Sequence, residues 1–207
     1  MSKGHACLSI YCTLNYIGKI SDDELLQFEE NGSYLAGHPI RNKEQEIYFS
    51  TGSLGIGMSN AVGQAIYLKK KYGEMSPKVI AILGDGEASE GIVYESLCVA
   101  SKYSLDNLLI FIDDNGLQQT GRTQEISGKR NLELIAKGSG ANTLIVDDAN
   151  DHDKIEKALA ETKRNNVNCI IGKTVKGKGI SFMEHDNKWH HGKMTTDEYI
   201  QAFNELK

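Results

Sequence analysis

The sequence has two prolines and one tryptophan in 207 residues, and no apolar run near the ~20 residues that cross a bilayer. A proline-rich disordered chain and a membrane-spanning helix are thereby excluded. Basic residues are also scarce. The 23 Lys and Arg against 28 Asp and Glu leave a net charge of −5, which gives no broad electrostatic footprint for nucleic acid or for an anionic membrane. Any anion must therefore be held by a local device. Cys7, Cys12, Cys98 and Cys169 form no C-x-x-C, so the four cysteines are expected to be small buried apolar residues in a reducing compartment. The opening Met1-Ser2-Lys3-Gly4-His5 lacks the apolar stretch of a secretory signal, and a cytoplasmic location is expected. No internal repeat is visible.

What is present is 40% hydrophobic and 25% charged residues, the balance of one α/β domain spanning residues 1–207, with a C-terminal loop and helix. Four short runs read as strands apolar on both faces: Val79 to Leu83, Leu108 to Ile112, Thr143 to Val146 and Asn168 to Ile171. Strands of that kind belong in a parallel sheet covered by helices. Gly91 to Lys102, Asn131 to Lys137 and Asp151 to Arg164 supply such helices, and Leu54 to Tyr72 reads as a longer one rich in small residues. Ser21-Asp22-Asp23-Glu24 and Thr195-Thr196-Asp197-Glu198 carry capping-box spacing. They should open a short helix through Phe28 and a C-terminal amphipathic one. The alternation predicts a doubly wound, mainly parallel sheet with helices on both faces, and on such a sheet ligands sit beyond the carboxyl ends of the strands.

Two of those ends are chemically unusual. After Leu83 comes Gly84-Asp85-Gly86-Glu87-Ala88-Ser89-Glu90-Gly91, where glycines flank a carboxylate and a helix follows. After Ile112 comes Asp113-Asp114-Asn115-Gly116-Leu117. The two segments lie about 30 residues apart, the length of one βαβ unit, so Asp85 and Asn115 should meet at neighbouring strand ends. A carboxylate at a phosphate-binding turn repels the phosphate unless a cation intervenes. One carboxylate and one amide oxygen suit a hard divalent ion whose remaining ligands come from a diphosphate, and an Mg²⁺-diphosphate site follows. Each segment taken alone is equally an ordinary turn, because Gly, Asp and Asn dominate turns for conformational reasons. Other phosphate motifs fail. Val167 stands where a P-loop ending in Gly172-Lys173-Thr174 needs its first glycine, and Gly55-Ile56-Gly57-Met58-Ser59-Asn60 lacks the third glycine of a dinucleotide fingerprint.

Gly-Asp-Gly followed by this Asn is the thiamine diphosphate motif, and more specific words surround it. They are Ser2-Lys3-Gly4-His5-Ala6, Gly37-His38-Pro39, Thr51-Gly52-Ser53-Leu54-Gly55, Lys173-Thr174-Val175-Lys176-Gly177-Lys178-Gly179 and Trp189-His190-His191-Gly192. In that order, over nearly the whole chain, the sequence resembles the N-terminal, diphosphate-binding half of transketolase in its separately encoded form. The resemblance implies that Asp85, the Asn115 side chain and the Leu117 carbonyl hold Mg²⁺ or another divalent cation such as Ca²⁺ or Mn²⁺. It implies that Gly86, His5 and His191 bind the diphosphate and that Gly52, Ser53 and Leu54 lie along the cofactor rings. It gives His38 and His191 places near the sugar substrate, and makes Glu90 an acidic link between the two active sites of a dimer. Glu90 reads equally as a first-turn residue favoured by the helix dipole, and for Glu87 that is the preferred reading. His152 is assigned to the surface, and His185, His190, Lys176 and Lys178 receive no role.

The implied reaction moves a two-carbon ketol unit from a ketose phosphate to an aldose. The glutamate that activates the cofactor belongs to the other half of such enzymes, and nothing here matches it. A C-terminal partner subunit is therefore implied, in a heterotetramer, with this chain inactive alone. Two departures from the family pattern stand out. The family begins about sixty residues earlier, with a helix and a Ser-Gly-His-Pro-Gly loop, so either the chain's start is truncated or the protein has lost that strand-end loop and an edge of its domain. Ala149 also replaces a usual glycine, at a turn expected to need positive φ. Other readings stay open: a deoxyxylulose phosphate synthase-like chain, a 2-oxo acid dehydrogenase α-type subunit, or a truncated non-catalytic remnant. The words from Lys173 to Gly179 and Trp189 to Gly192 favour transketolase.

Overall fold

A computed structural model describes residues 1–207. Its centre is a sheet of β1 (Val79–Gly84), β2 (Leu108–Asp114), β3 (Asn142–Val146) and β4 (Asn168–Lys173), all parallel and ordered β1-β2-β4-β3. Side chains alternate across a strand, so β2 contributes to both faces. Leu108, Ile110 and Ile112 point into the main core, under α3 (Ile56–Tyr72), α4 (Gly91–Lys102) and α6 (Leu132–Gly138). Leu109 and Phe111 point the other way, against Ala158 and Ile155 of α7 (His152–Ala160). Helices thus cover both faces, the doubly wound arrangement expected from doubly apolar strands. A separate core gathers Tyr11 of α1 (Cys7–Tyr16) with Leu35 and Ile47, beneath the segment that includes the short α2 (Asp22–Leu25). Neither of the remaining helices, α5 (Thr123–Ser127) and α8 (Thr196–Glu205), nor any other, is long and apolar enough to cross a membrane.

Local chemistry sets the boundaries. Both capping boxes form: Ser21 and Thr195 each accept from the backbone N–H three residues on, and Glu24 and Glu198 each accept in return from the cap N–H. The expected helix to Arg164 stops at Ala160. Asn168 takes the Lys163 N–H at 2.8 Å and donates to the Lys163 carbonyl at 2.9 Å, and Asn165 turns left-handed with φ 61°. Strands β2 and β4 run two residues past their expected ends, so Asp113 and Asp114 pair with Gly172 and Lys173 inside the ladder. Lys3 and Thr174 engage the Asp113 carboxylate and Lys173 engages Asp114, which compensates the charge that would otherwise end the strand there.

Two expectations need correction. Cys7 and Cys169 are buried, but Cys12 and Cys98 are exposed, on the outer sides of α1 and α4. Ala149 is not at a positive φ. It is buried, and its methyl group fills the space a side chain at Gly172 would occupy, so the position takes alanine without strain.

Candidate active site

The parallel register puts Gly84 beside Asp113, and the Asp85 N–H extends the ladder by donating to the Asp113 carbonyl at 3.0 Å. Asp85 and Asn115 therefore stand in adjacent loops at the carboxyl edge of the sheet. Asp85 is 3% exposed, and its carboxylate accepts from the Gly86 N–H at 2.8 Å and the Thr123 hydroxyl at 2.6 Å. Burial raises its pKa above the ordinary carboxylate range, and the charges of Asp114 and Asp113 add to that, against the two hydrogen bonds. Asn115 folds its own loop, its Oδ1 accepting from the Leu117 N–H at 2.9 Å. Gly116 turns left-handed with φ 72°, and its carbonyl accepts from the Thr123 N–H at 2.9 Å, bringing Thr123 back over Asp85. A Cβ on Gly86 would lie 3.1 Å from Gln118 Cγ, so the two loops are in contact.

Opposite this acidic edge lies a cluster of nitrogen bases. Burial works against the Asp113 carboxylate, but Lys3 and Thr174 outweigh it and hold its pKa below the usual range. The rings of His5 and His190 lie 4.7 Å apart, and Lys176 Nζ is 3.3 Å from His190 Nδ1. Burial of the His5 ring and the adjacent His190, Lys3 and Lys176 hold its pKa down to about 4, so it is a neutral imidazole at pH 7. Burial likewise lowers Lys176, with Lys3 adding to the effect while Asp113 and Asp85 oppose it. His38 joins from a third loop, its ring 3.0 Å from where a Cβ on Gly4 would lie and 3.7 Å from one on Gly52. Gly52, Ser53 and Leu54 line the same surface and are exposed.

The remaining candidates differ in their surroundings. His191 is exposed, and it is His190 that stacks on His5. Glu90 is exposed at the N-terminus of α4 and makes no capping bond. Leu117 is half-buried in the Asn115 loop, and His152 and His185 are on the surface. Glu87 is not a solvated first-turn residue: it lies in a separate 3₁₀ turn, is 2% exposed, and accepts hydrogen bonds from Ser2 and Gly55. Thr123, Lys176 and His190 are the participants that sequence reading did not assign. Only the Gly-rich spelling around each offered a signal, and it marks a turn without saying what the turn reaches.

The donor set fits a hard divalent cation. Asp85, Asn115 and the Leu117 carbonyl offer only oxygen, short of the roughly six ligands such an ion takes, which leaves positions for phosphate oxygens and water. No group of three His, Cys, Asp or Glu side chains forms a metal cage anywhere in the chain, here included, so at this site the protein would share the ion with a ligand that brings its own oxygens. In an open parallel α/β sheet, the carboxyl ends of the strands, where these carboxylates, imidazoles and lysines gather, are where ligands bind. The family model described as the thiamine diphosphate-binding domain of transketolase matches residues 1–206. The chain is 36% identical over 208 residues to an apulose-4-phosphate transketolase subunit from Phocaeicola vulgatus, covering all of this chain and 73% of that one. It is 36% identical over 193 residues to human transketolase, covering 92% of this chain and 30% of that one. The crystal structure of transketolase from Campylobacter jejuni superposes with a TM-score of 0.90 at 28% identity, over 99% of this chain and 33% of that one. This chain belongs to the transketolase family and is its thiamine diphosphate-binding domain, spanning about a third of those single-chain enzymes.

Proposed function

We propose that this chain is the diphosphate- and metal-binding subunit of a two-chain transketolase, in which residues 1–207 act as one domain. The observation that carries the reading is the convergence of Asp85 and the Asn115 loop on one side with Lys3, His5, Lys176 and His190 on the other. Asp85, Asn115 and the Leu117 carbonyl hold Mg²⁺, or Ca²⁺ or Mn²⁺ in its place. Gly86, His5 and His190 face the diphosphate, with Lys176 supplying a positive charge and His191 near the sugar. Gly52, Ser53 and Leu54 support the cofactor rings. Bound thiamine diphosphate supplies the electron sink that lets the bond beside a ketose carbonyl break.

This chain's residues position and exclude. Neutral His5 donates from one ring nitrogen to a phosphate oxygen without needing a proton from solvent. His38, exposed above Gly4 and Gly52, is placed to hydrogen-bond sugar hydroxyls. The substrate class is a ketose phosphate donor and an aldose acceptor; relatives matching the whole of this chain are named for apulose-4-phosphate.

The exposure of Gly52, Ser53, Leu54, His38 and Glu90 supports a second chain covering this face. That chain is a C-terminal transketolase subunit, with two copies of each in a heterotetramer joined near Glu90, acting in the cytoplasm. Ketol transfer from a ketose phosphate is to be assayed with thiamine diphosphate and Mg²⁺, using this chain alone, the partner alone and the two mixed. Activity only in the mixture is expected. Activity of either chain alone, or none in the mixture despite cofactor binding, contradicts the proposal.

A further inference from the structure

Two carboxylate residues are buried in this chain, Asp85 and Glu87. Asp85 is accounted for by the cation site, and Glu87 is not. Burying a carboxylate costs free energy unless its oxygens find donors. One oxygen of Glu87 finds two: it accepts from the Ser2 hydroxyl and from the Gly55 N–H at 2.8 Å, while the second oxygen has no partner. The donors come from two neighbouring loops of that surface. Ser2 is fixed by its own N–H, which donates to the Ile82 carbonyl at the free edge of β1 at 2.9 Å, and the same loop carries His5. Gly55 ends the Gly52-Ser53-Leu54 segment in a left-handed conformation, φ 82°, and a Cβ there would lie 2.4 Å from Ile92 Cγ2. The two loops also touch directly, since a Cβ on Gly57 would lie 2.6 Å from Ser2 Cα.

We infer that Glu87 is a positioning residue: one of its carboxylate oxygens ties together the loops that carry His5, Gly52 to Leu54, and Asp85 with Gly86. The inference rests on reading that surface as the thiamine diphosphate site. What the clamp requires is an acceptor rather than a charge. A glutamine amide oxygen still accepts both bonds, each weaker than to a carboxylate, whereas alanine leaves the Ser2 hydroxyl and the Gly55 N–H buried without a partner.

Hydrogen exchange of the cofactor-free chain, followed peptide by peptide, tests the clamp directly, with thiamine diphosphate and Mg²⁺ affinity measured on the same proteins. Glu87→Ala should speed exchange over residues 1–6 and 51–57 by about tenfold or more and leave β2 and β4 at wild-type protection. It should weaken cofactor affinity by about tenfold, while Glu87→Gln stays within about threefold of wild type in both measurements. Ser2→Ala should loosen residues 1–6 alone. Unchanged exchange of both segments in Glu87→Ala, or Glu87→Gln behaving like Glu87→Ala, overturns the inference. Should Glu87→Ala lose protection in β2 and β4 through misfolding, Ser2→Ala decides, and wild-type exchange over residues 1–6 then overturns it. Absence of cofactor binding by the wild-type chain would count against the proposed function, and the exchange pattern would still judge the clamp.

Discussion

His5 shows how a residue's surroundings set its chemistry. The ring is held to a pKa of about 4 against an ordinary 6.5, first by burial and then by the neighbouring His190 ring and the positive charges of Lys3 and Lys176. Between those two values the unfolded chain takes up a proton that the folded chain refuses. Folding stability should therefore fall as pH drops from 6.5 towards 4, with no contribution from this group above 6.5. Thermal unfolding of the wild type and of His5→Gln across that window checks it, because the variant should show a shallower decline. Equal slopes in the two proteins would mean that His5 titrates normally. Asp85, Asn115 and His5 were legible in the sequence because each sits in a Gly-rich word directly after a strand or ahead of a helix. Thr123 and His190 were not, because each reaches the site by a loop returning from elsewhere, and Lys176 was not, because a Lys-Gly-Lys-Gly run after a strand reads equally as a solvated loop. Glu87 misled for a related reason: its spacing before α4 fits a helix terminus, and only the fold shows Ser2 and Gly55 waiting on its other side.

At the scale of elements, the four strands and their order of appearance followed from short apolar runs between amphipathic stretches. Their ends did not. β2 absorbs Asp113 and Asp114 because Lys3, Thr174 and Lys173 meet them, and α7 stops early because the Asn168 side chain captures Lys163. The first effect depends on partners distant in sequence, which no local pattern encodes, and the second on a side chain five residues along that belongs to the next strand. The junction of β4 with the loop before α7 gives a prediction of its own. A Cβ on Gly172 would lie 2.6 Å from Ala149 Cβ and 2.7 Å from Phe111 Cζ. Gly172→Ala should therefore destabilise by about 1–3 kcal/mol, the usual cost of overpacking a filled core. Ala149→Gly should also destabilise, by roughly 0.5–1 kcal/mol, because its backbone gains freedom only in the unfolded chain. Urea unfolding curves with unchanged slopes measure both changes. A stabilised Ala149→Gly would show that the turn does want a glycine after all.

For the whole molecule, the proposed two-chain enzyme makes assembly part of the chemistry, and the exposure of Gly52, Ser53 and Leu54 supports it. Sedimentation of the mixed subunits should give a species of two copies of each, and a one-to-one complex would remove Glu90 from any link between paired sites. Beneath assembly lies the cation. Electron paramagnetic resonance of Mn²⁺ titrated into the chain with and without thiamine diphosphate tests it most directly. Wild type should bind Mn²⁺ tightly only when the diphosphate is present, and Asp85→Asn and Asn115→Leu should each weaken that binding by at least the roughly 10–100-fold that disturbing a ligand's supporting partner costs. Mn²⁺ binding that is indifferent to both substitutions, or to the diphosphate, would contradict the account.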